Sequence, residues 1–335
     1  MKNIFLCFNA LAPCAALAFA ALTAPATAQD RAANYPVKTI RIITGSAPGG
    51  PLDFSSRLAA QKLSEAFGHP VVVEPRLGAS GTIANEFVAK SAPDGYTLGA
   101  GSMATLCVVP HLYPKIGYDS LKDFAPITIV SAVGFVLVVH PSVPARNLKE
   151  LIALGKASPG KLSFGTSGAG SVTHLGIEML KSMAGVNFLH IPYKGAAPAL
   201  IDLIGGQTDL MYDSVLTSVP HIKSGKIRAL AVGSAKRSPL LPEMPTIAEA
   251  GLPGLSNFEA DTWFGLVAAA ATPREIVAKL HATLVKTIRD KEVTQRLLNQ
   301  GMEPVLVTPE QFAERIKQDY PRWGKLLKSA GIKAE

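Results

Sequence analysis

Four short stretches place glycine and hydroxyl residues just ahead of a helical pattern. They are Gly45-Ser-Ala-Pro-Gly-Gly50 before Asp53, Gly78-Ala-Ser-Gly81 before Thr82, Gly101-Ser102, and Gly165-Thr-Ser-Gly-Ala-Gly-Ser171 before His174. Each follows a short β-branched run, so each reads as a strand-to-helix loop. A helix start offers unpaired N–H groups and a partial positive charge, and glycine lets a ligand approach them without a side chain in the way. One such loop is ordinarily just a turn. Four at the carboxyl ends of strands, where open α/β sheets bind ligands, make a set of anion receptors that needs no cation. The Gly49-Gly50 pair is expected to expose backbone N–H groups, and Asp53 to cap its own helix.

The same loops lack the marks of catalysis. Ser167 sits in Gly-Thr-Ser-Gly-Ala, without the last glycine of a nucleophile elbow. Gly168-Ala-Gly170 lacks the third glycine of a dinucleotide fingerprint, and no Gly-Lys-Ser/Thr or His-Glu-x-x-His occurs. His174, just inside a helix, reads as structural rather than as a general base, and His190 as packed on a strand. Neither a metal nor a cofactor is expected.

The elements that must carry these loops alternate. Strands are predicted at 39–44, 71–74, 97–100, 127–139, 162–165, 188–191, 210–212, 228–233 and 263–268, with segments of 3.6-residue apolar spacing between many of them. That order implies an α/β protein with mainly parallel sheets flanked by helices. The long run 127–139 is expected to leave one sheet and enter another, and "TWFGLVAAA" to return. This divides the chain into lobe 1 (29–130 and 259–335) and lobe 2 (131–258), with three C-terminal helices packing on the first sheet. Thr272 and Thr308, each followed by proline, are expected to cap the first and last of these helices.

With 335 residues, 48% of them hydrophobic, the chain has apolar mass for two cores. Residues 1–28 read as a leader: a basic start, an apolar Ala-rich run and a small-x-small site ending at Ala28. Removal after Ala28 would leave Cys107 as the sole cysteine, without a disulfide or thiol metal site, as suits a bacterial periplasm. The net charge of +8 comes from dispersed lysines and arginines, not a basic stripe, so nucleic acid is not an expected partner.

The segments "YPVKTIRIITGSAPGGPLDFSSRLAAQKL", "DGYTL", "GTSGAGSVTHLGIEML", "IPYKGAAPALIDLIGGQTDLMYDS" and "HIKSGKIRALAVGSAKRSPLLPEMPTIAEAGLPG" resemble the Bug-type solute receptors of tripartite tricarboxylate transporters. The resemblance runs from Tyr35 to the C-terminus. It implies a monomeric periplasmic Venus-flytrap receptor whose two α/β lobes grip a small carboxylate through backbone N–H groups, hydroxyls and ordered waters, and then serve membrane permease subunits. On this resemblance the lobe 1 grip falls on Pro48, Gly49, Gly50, Gly78, Ala79, Ser80 and Gly81. The lobe 2 grip falls on Thr166, Ser167, Gly168, Gly170 and Ser171. Ser102 joins them as a strand-end hydroxyl. Asp213 faces the cleft in the family pattern, either to take a ligand ammonium or hydroxyl or to organise its loop. The chain departs from the family at the second loop, where Glu-Asn-Arg/Lys-Pro-Gly-Ala-Gly-Gly is common and Glu74-Pro-Arg-Leu-Gly-Ala-Ser-Gly81 stands here. A dicarboxylate, aliphatic or aromatic, is the expected ligand class. The competing readings are a receptor that signals to a sensor kinase and a periplasmic hydrolase using Ser167 or Ser171.

Overall fold

The computed structural model describes residues 34–113 and 115–332, so the expected leader lies outside the described residues. Lobe 1 is built on β1 (Ile40–Thr44), β2 (Val71–Pro75), β3 (Thr97–Ser102) and β4 (Phe124–Val133). Lobe 2 is built on β5 (Phe135–Val139), β6 (Ser163–Thr166), β7 (Leu189–Pro192), β8 (Leu210–Ser214) and β9 (Arg228–Val232). The chain then returns to lobe 1 with β10 (Thr262–Ala269) and β11 (Met302–Pro304). The sheet orders are β11-β4-β10-β3-β1-β2 and β7-β6-β8-β5-β9. Both sheets are mixed. β10 runs antiparallel between β3 and β4, and β5 antiparallel between β8 and β9. In each sheet a strand that has just crossed between lobes fills a central place, and β5 and β10 are buried along their whole length, as strands covered on both faces must be.

The apolar run 127–139 does change sheets, and it breaks at Gly134 into two strands. Nothing of β11 was legible beforehand; it pairs through only Met302, Glu303 and Pro304.

The helices are α1 (Pro51–Phe67), α2 (Thr82–Ala89), α3 (Leu148–Ala157), α4 (Val172–Ala184), α5 (Ala196–Ile204), α6 (Val215–Lys223), α7 (Arg274–Ile288), α8 (Lys291–Asn299) and α9 (Pro309–Ser329). α1 starts with Pro51 after Gly50 and ends on the left-handed Gly68, the usual proline-first, glycine-last pairing. Thr308 caps α9 in a full capping box with Gln311. Thr272 does not cap α7: Pro273 holds the extended cap position and the Thr272 hydroxyl is buried without a partner. The proline that opens α7 is one position earlier than its first helical residue, so the threonine sits too far back to reach the helix amides.

The two paths between the lobes lie side by side. Gly233 N–H donates to the Phe135 carbonyl, and Ala260 N–H to the Gly233 carbonyl. Tyr212, from lobe 2, donates its hydroxyl to the Ala260 carbonyl at 2.9 Å. A Cβ on Gly233 would come 1.6 Å from that hydroxyl oxygen, so only glycine fits. From lobe 1, Arg315 on α9 reaches the returning path: Nη2 to Asp261 at 2.8 Å, Nε to Asp319 at 2.6 Å, and Nη1 to Glu259. Asp319 also accepts from Trp263 Nε1 at 2.9 Å and Arg322 Nη2 at 2.6 Å. Burial works against the Arg315 charge, but the three carboxylates more than offset it and push its pKa far up.

Removing one member of a buried ion cluster leaves the others uncompensated. Arg315→Met is therefore expected to lower unfolding stability by about 3–5 kcal/mol, read from urea titration. A loss under about 1 kcal/mol would reduce the cluster to a surface pair.

Candidate functional site

The predicted loops lie at the ends of β1, β2 and β3 in lobe 1 and of β6 and β8 in lobe 2. In lobe 1, the first two loops touch backbone to backbone: a Cβ on Gly45 would lie 2.5 Å from the Gly81 Cα. Gly49 is left-handed at φ +93°, and a Cβ there would meet nothing within 4 Å. Its N–H is not free, because it donates to Asp53 Oδ2 at 3.1 Å, which also accepts from Arg57 Nε at 2.9 Å. Asp53 thus braces the loop from the first turn of α1 and does not cap the helix. The cap position is Gly50, without a side-chain bond; Asp53 is already inside the helix. Burial opposes Asp53 ionisation, but Arg57 and the Gly49 N–H outweigh it and hold the carboxyl below its ordinary value.

The second loop is a left-handed turn. Gly78, Ala79, Ser80 and Gly81 have φ of 127°, 44°, 53° and 89°, and the Gly81 N–H closes onto the Gly78 carbonyl at 2.9 Å. Two non-glycine residues there store strain of the kind found at ligand clamps. The turn leaves the Ala79 and Ser80 N–H groups outside its own hydrogen bond. Ser80 Oγ lies 3.0 Å from the Tyr113 hydroxyl, a partner that sequence reasoning missed and that no local pattern signals. Ser102 is buried, and its Oγ accepts from Thr105 N while its own N–H donates to Thr105 Oγ1. That hydroxyl serves the turn from β3 into the π-helical segment Ala104–Val108.

The lobe 2 loop is bonded to itself more densely than its glycines suggest. Ser167 N–H donates to Thr173 Oγ1 at 2.8 Å, Gly168 N–H to Thr166 Oγ1 at 3.3 Å, and Gly170 N–H to His174 Nδ1 at 3.0 Å. Ser171 caps α4 by accepting from His174 N–H, and donates its hydroxyl to the Gly168 carbonyl. Helix geometry leaves the first-turn N–H groups of Val172 and Thr173 for an outside acceptor. Gly168 and Gly170 are left-handed, and a Cβ on Gly168 would meet only the Tyr193 carbonyl at 3.6 Å. Neither Ser167 nor Ser171 hydroxyl is bonded to a histidine ring: they engage Thr173 and the Gly168 carbonyl. That is no nucleophile and base pair. Thr173 is the hydroxyl that the sequence reading overlooked; its signal is the Ser-Val-Thr start of α4.

Asp213 is 1% exposed. Its Oδ2 accepts from Thr217 Oγ1 at 2.6 Å and Ser218 Oγ at 3.0 Å, so the carboxylate points into the start of α6. Among the described residues no group of His, Cys, Asp and Glu is disposed to hold a metal ion.

Two α/β lobes joined by paired crossovers, with glycine and hydroxyl loops at the strand ends of each, define a solute-binding receptor of the Venus-flytrap kind. The chain belongs to the tripartite tricarboxylate transporter receptor family, whose profile it matches over residues 55–332. It is 37% identical to the protein BugT of Bordetella pertussis over 318 residues, 95% of each chain. A solved R. palustris protein with adipate is 36% identical, with a TM-score of 0.67 over 89% of this chain and 99% of that one. A TctC solute-binding protein from Polaromonas solved with no ligand is 27% identical, with a TM-score of 0.80 over 88% of this chain and 99% of that one. The protein is thus a carboxylate-binding receptor and not an enzyme. Among the described residues no helix is long and apolar enough to cross a membrane.

Burial pushes the Asp213 carboxyl above its ordinary value, against the pull of Thr217, Ser218 and the Ser214 N–H. A raised folded value stabilises the fold below the ordinary aspartate range and loses that contribution as pH rises through the folded value. Asp213→Asn stays neutral and keeps an oxygen for both hydroxyls. It is expected to match or exceed the parent's stability near neutral pH and to flatten the parent's decline as pH rises above the ordinary aspartate range, measured by urea titration at each pH. An unchanged slope would show that Asp213 does not titrate in this way.

Proposed function

We propose that the protein is a periplasmic receptor that captures a dicarboxylate between its lobes and delivers it to the membrane subunits of a tripartite transporter. The leader would be removed after Ala28. The observation that carries the reading is a loop rich in backbone N–H donors at the strand ends of each lobe: 78–81 in lobe 1 and 166–171 with the start of α4 in lobe 2. One carboxylate of the ligand would take the Ala79 and Ser80 N–H groups. The other would take the Val172 and Thr173 N–H groups at the α4 N-terminus, where the helix dipole favours negative charge. Pro48, Gly49 and Gly50 close the lobe 1 side, with Asp53 and Arg57 holding their shape. Asp213 organises the β8–α6 turn, and Ser102 shapes its own.

Magnitudes favour two charged ends over one. A hydrogen bond to a charged group contributes about 1.5–3 kcal/mol. Micromolar affinity needs about −8 kcal/mol net, over an association cost of about 4–15 kcal/mol. Two or three such bonds to a monocarboxylate fall short, whereas a dicarboxylate spanning both lobes doubles them and favours the closed form by differential contact. The adipate held by the R. palustris relative is a dicarboxylate of this kind.

We further infer that the structure is the open form. Among the described residues no hydrogen bond joins loops 45–50 or 78–81 to loop 166–171. The ligand-free relative superposes better than the adipate-bound one despite lower identity, as a difference in lobe placement on one fold would give.

Calorimetry with adipate, its mono-ester and neutral analogues tests the reading. Adipate or another dicarboxylate is expected to bind and to raise the melting temperature by mass action, while its mono-ester loses at least about tenfold, one charged hydrogen bond's worth. Gly168→Val is expected to cost a similar factor with the fold intact. Equal binding of acid and mono-ester would defeat the two-ended grip.

A further inference from the structure

The two histidines that the sequence reading set aside as structural are stacked directly under the lobe 2 loop. Their ring centroids are 4.0 Å apart with planes within 8°, and Phe164 lies against both. Each ring holds one end of the loop. His174 Nδ1 accepts the Gly170 N–H at 3.0 Å. His190 Nε2 lies 2.7 Å from Thr166 Oγ1, which accepts the Gly168 N–H.

We propose that His174 is a positioning residue: it keeps loop 166–171 in its binding form only while its ring is neutral, so that ligand affinity falls as His174 is protonated. The proposal rests on loop 166–171 being the lobe 2 ligand grip.

An acceptor at Nδ1 fixes the tautomer. The proton must sit on Nε2, which lies 3.7 Å from Glu178 Oε1. Adding a proton at Nδ1 would set an N–H against the Gly170 N–H. Gly170, left-handed at φ +73°, would then turn away and take the cap residue Ser171 with it. The groups facing the His174 ring are few. Glu178 and Lys181 come from its own helix, with Lys181 Nζ at 2.6 Å from Glu178 Oε1. His190 comes from β7, and Phe164 and Thr166 from β6. Ile332, beyond α9, presents only an apolar contact to the Gly170 position. Burial opposes Glu178 ionisation, but His174 and Lys181 hold its carboxyl below the ordinary value. Burial, with His174 beside it, lowers His190 to about 4, so His190 stays neutral across the pH range of the test below.

A charged imidazole also attracts an anion, which would act the other way. Here the charge would form 3.7 Å from Glu178, which Lys181 already pairs, so the cluster would gain one positive charge. Glu178 stands against that charge and limits its field, whereas the reversed N–H meets the Gly170 N–H directly, so the loss of the loop contact decides the sign.

The test is adipate binding by calorimetry between pH 7.5 and 5.5, with the wild type, His174→Asn and His174→Phe. Asn places Oδ1 near the position of Nδ1 and cannot be charged. Wild-type affinity is expected to fall by at least about fivefold on acidification, the scale of one hydrogen bond. His174→Phe should be weakened at both pH values, and His174→Asn should recover most of that loss with a flat profile. A flat wild-type profile, or an unchanged fall in His174→Asn, would overturn the proposal. Ring-nitrogen and amide NMR of the ligand-free wild type gives an independent reading: an Nε2–H tautomer, and a Gly170 amide that shifts with His174 titration. An Nδ1–H tautomer, or a Gly170 amide indifferent to that titration, sinks the proposal whatever binds. Absence of adipate binding at every pH would count against the dicarboxylate reading, and the spectra would still decide the role of His174.

Discussion

One half-buried arginine ties the crossing chain to lobe 1. Arg315 gathers Glu259, Asp261 and Asp319, and so clamps the stretch that returns from lobe 2 onto the helix that covers the first sheet. Three carboxylates around one guanidinium would be costly if any lacked a donor; Arg322 and the Trp263 indole supply the remainder at Asp319. With 259–261 held in this way, any bending between the lobes would fall on the segments around Gly134 and Gly233. Gly233 is itself held by Tyr212 below it and by its bonds to Phe135 and Ala260. Gly134 is the freer of the two, since an added Cβ there would meet nothing closer than 3.6 Å.

The binding loops obey a second constraint. A receptor must be sound when empty, and a buried N–H without an acceptor is costly. The chain meets this by supplying acceptors of its own. Asp53 takes the Gly49 N–H, Thr173 the Ser167 N–H and His174 the Gly170 N–H. What is left for a ligand is narrower than the glycine count implies: the exposed faces of left-handed turns and the first turn of α4. In the proposed binding mode an anion would be held by many modest bonds to such dipoles, which opening of the lobes would break together.

Much of this was legible in the sequence, because strands buried on both faces must be apolar runs and the loops between them must carry glycine. Nine strands could be placed from β-branched runs, and the change of sheet within 127–139 from a run too long for one lobe. The break at Gly134 needed the structure, as did β11, whose Met-Glu-Pro carries no strand pattern and exists because β4 offers it an edge. Asp53 misled because a capping residue and a first-turn residue look alike until the helix start is fixed within one position. Ser102 showed in the sequence only as a strand-end hydroxyl; that it bonds to Thr105 needed the structure. The pairing of His174 with His190 could not be read at all: they lie sixteen positions apart, on a helix and a strand whose packing no local pattern encodes. The hydroxyl of Ser171 was visible, but its service to the loop, as the cap of α4 and a donor to the Gly168 carbonyl, needed the structure.

The placement of β10 bears on how the molecule is made. Lobe 2 is one continuous length of chain from β5 to β9, and its sheet needs no strand from elsewhere. Lobe 1 is not continuous: β10 sits between β3 and β4, so those two strands have bare inner edges until residues 262–269 have been made. A chain emerging N-terminus first therefore completes its second lobe before its first. During that interval the first half of lobe 1 carries two unpaired apolar strands, the kind of edge that invites association with other chains. The stretch from β10 to the C-terminus is thus a closing piece, and a chain cut short of it would hold a finished lobe beside an open, adhesive one.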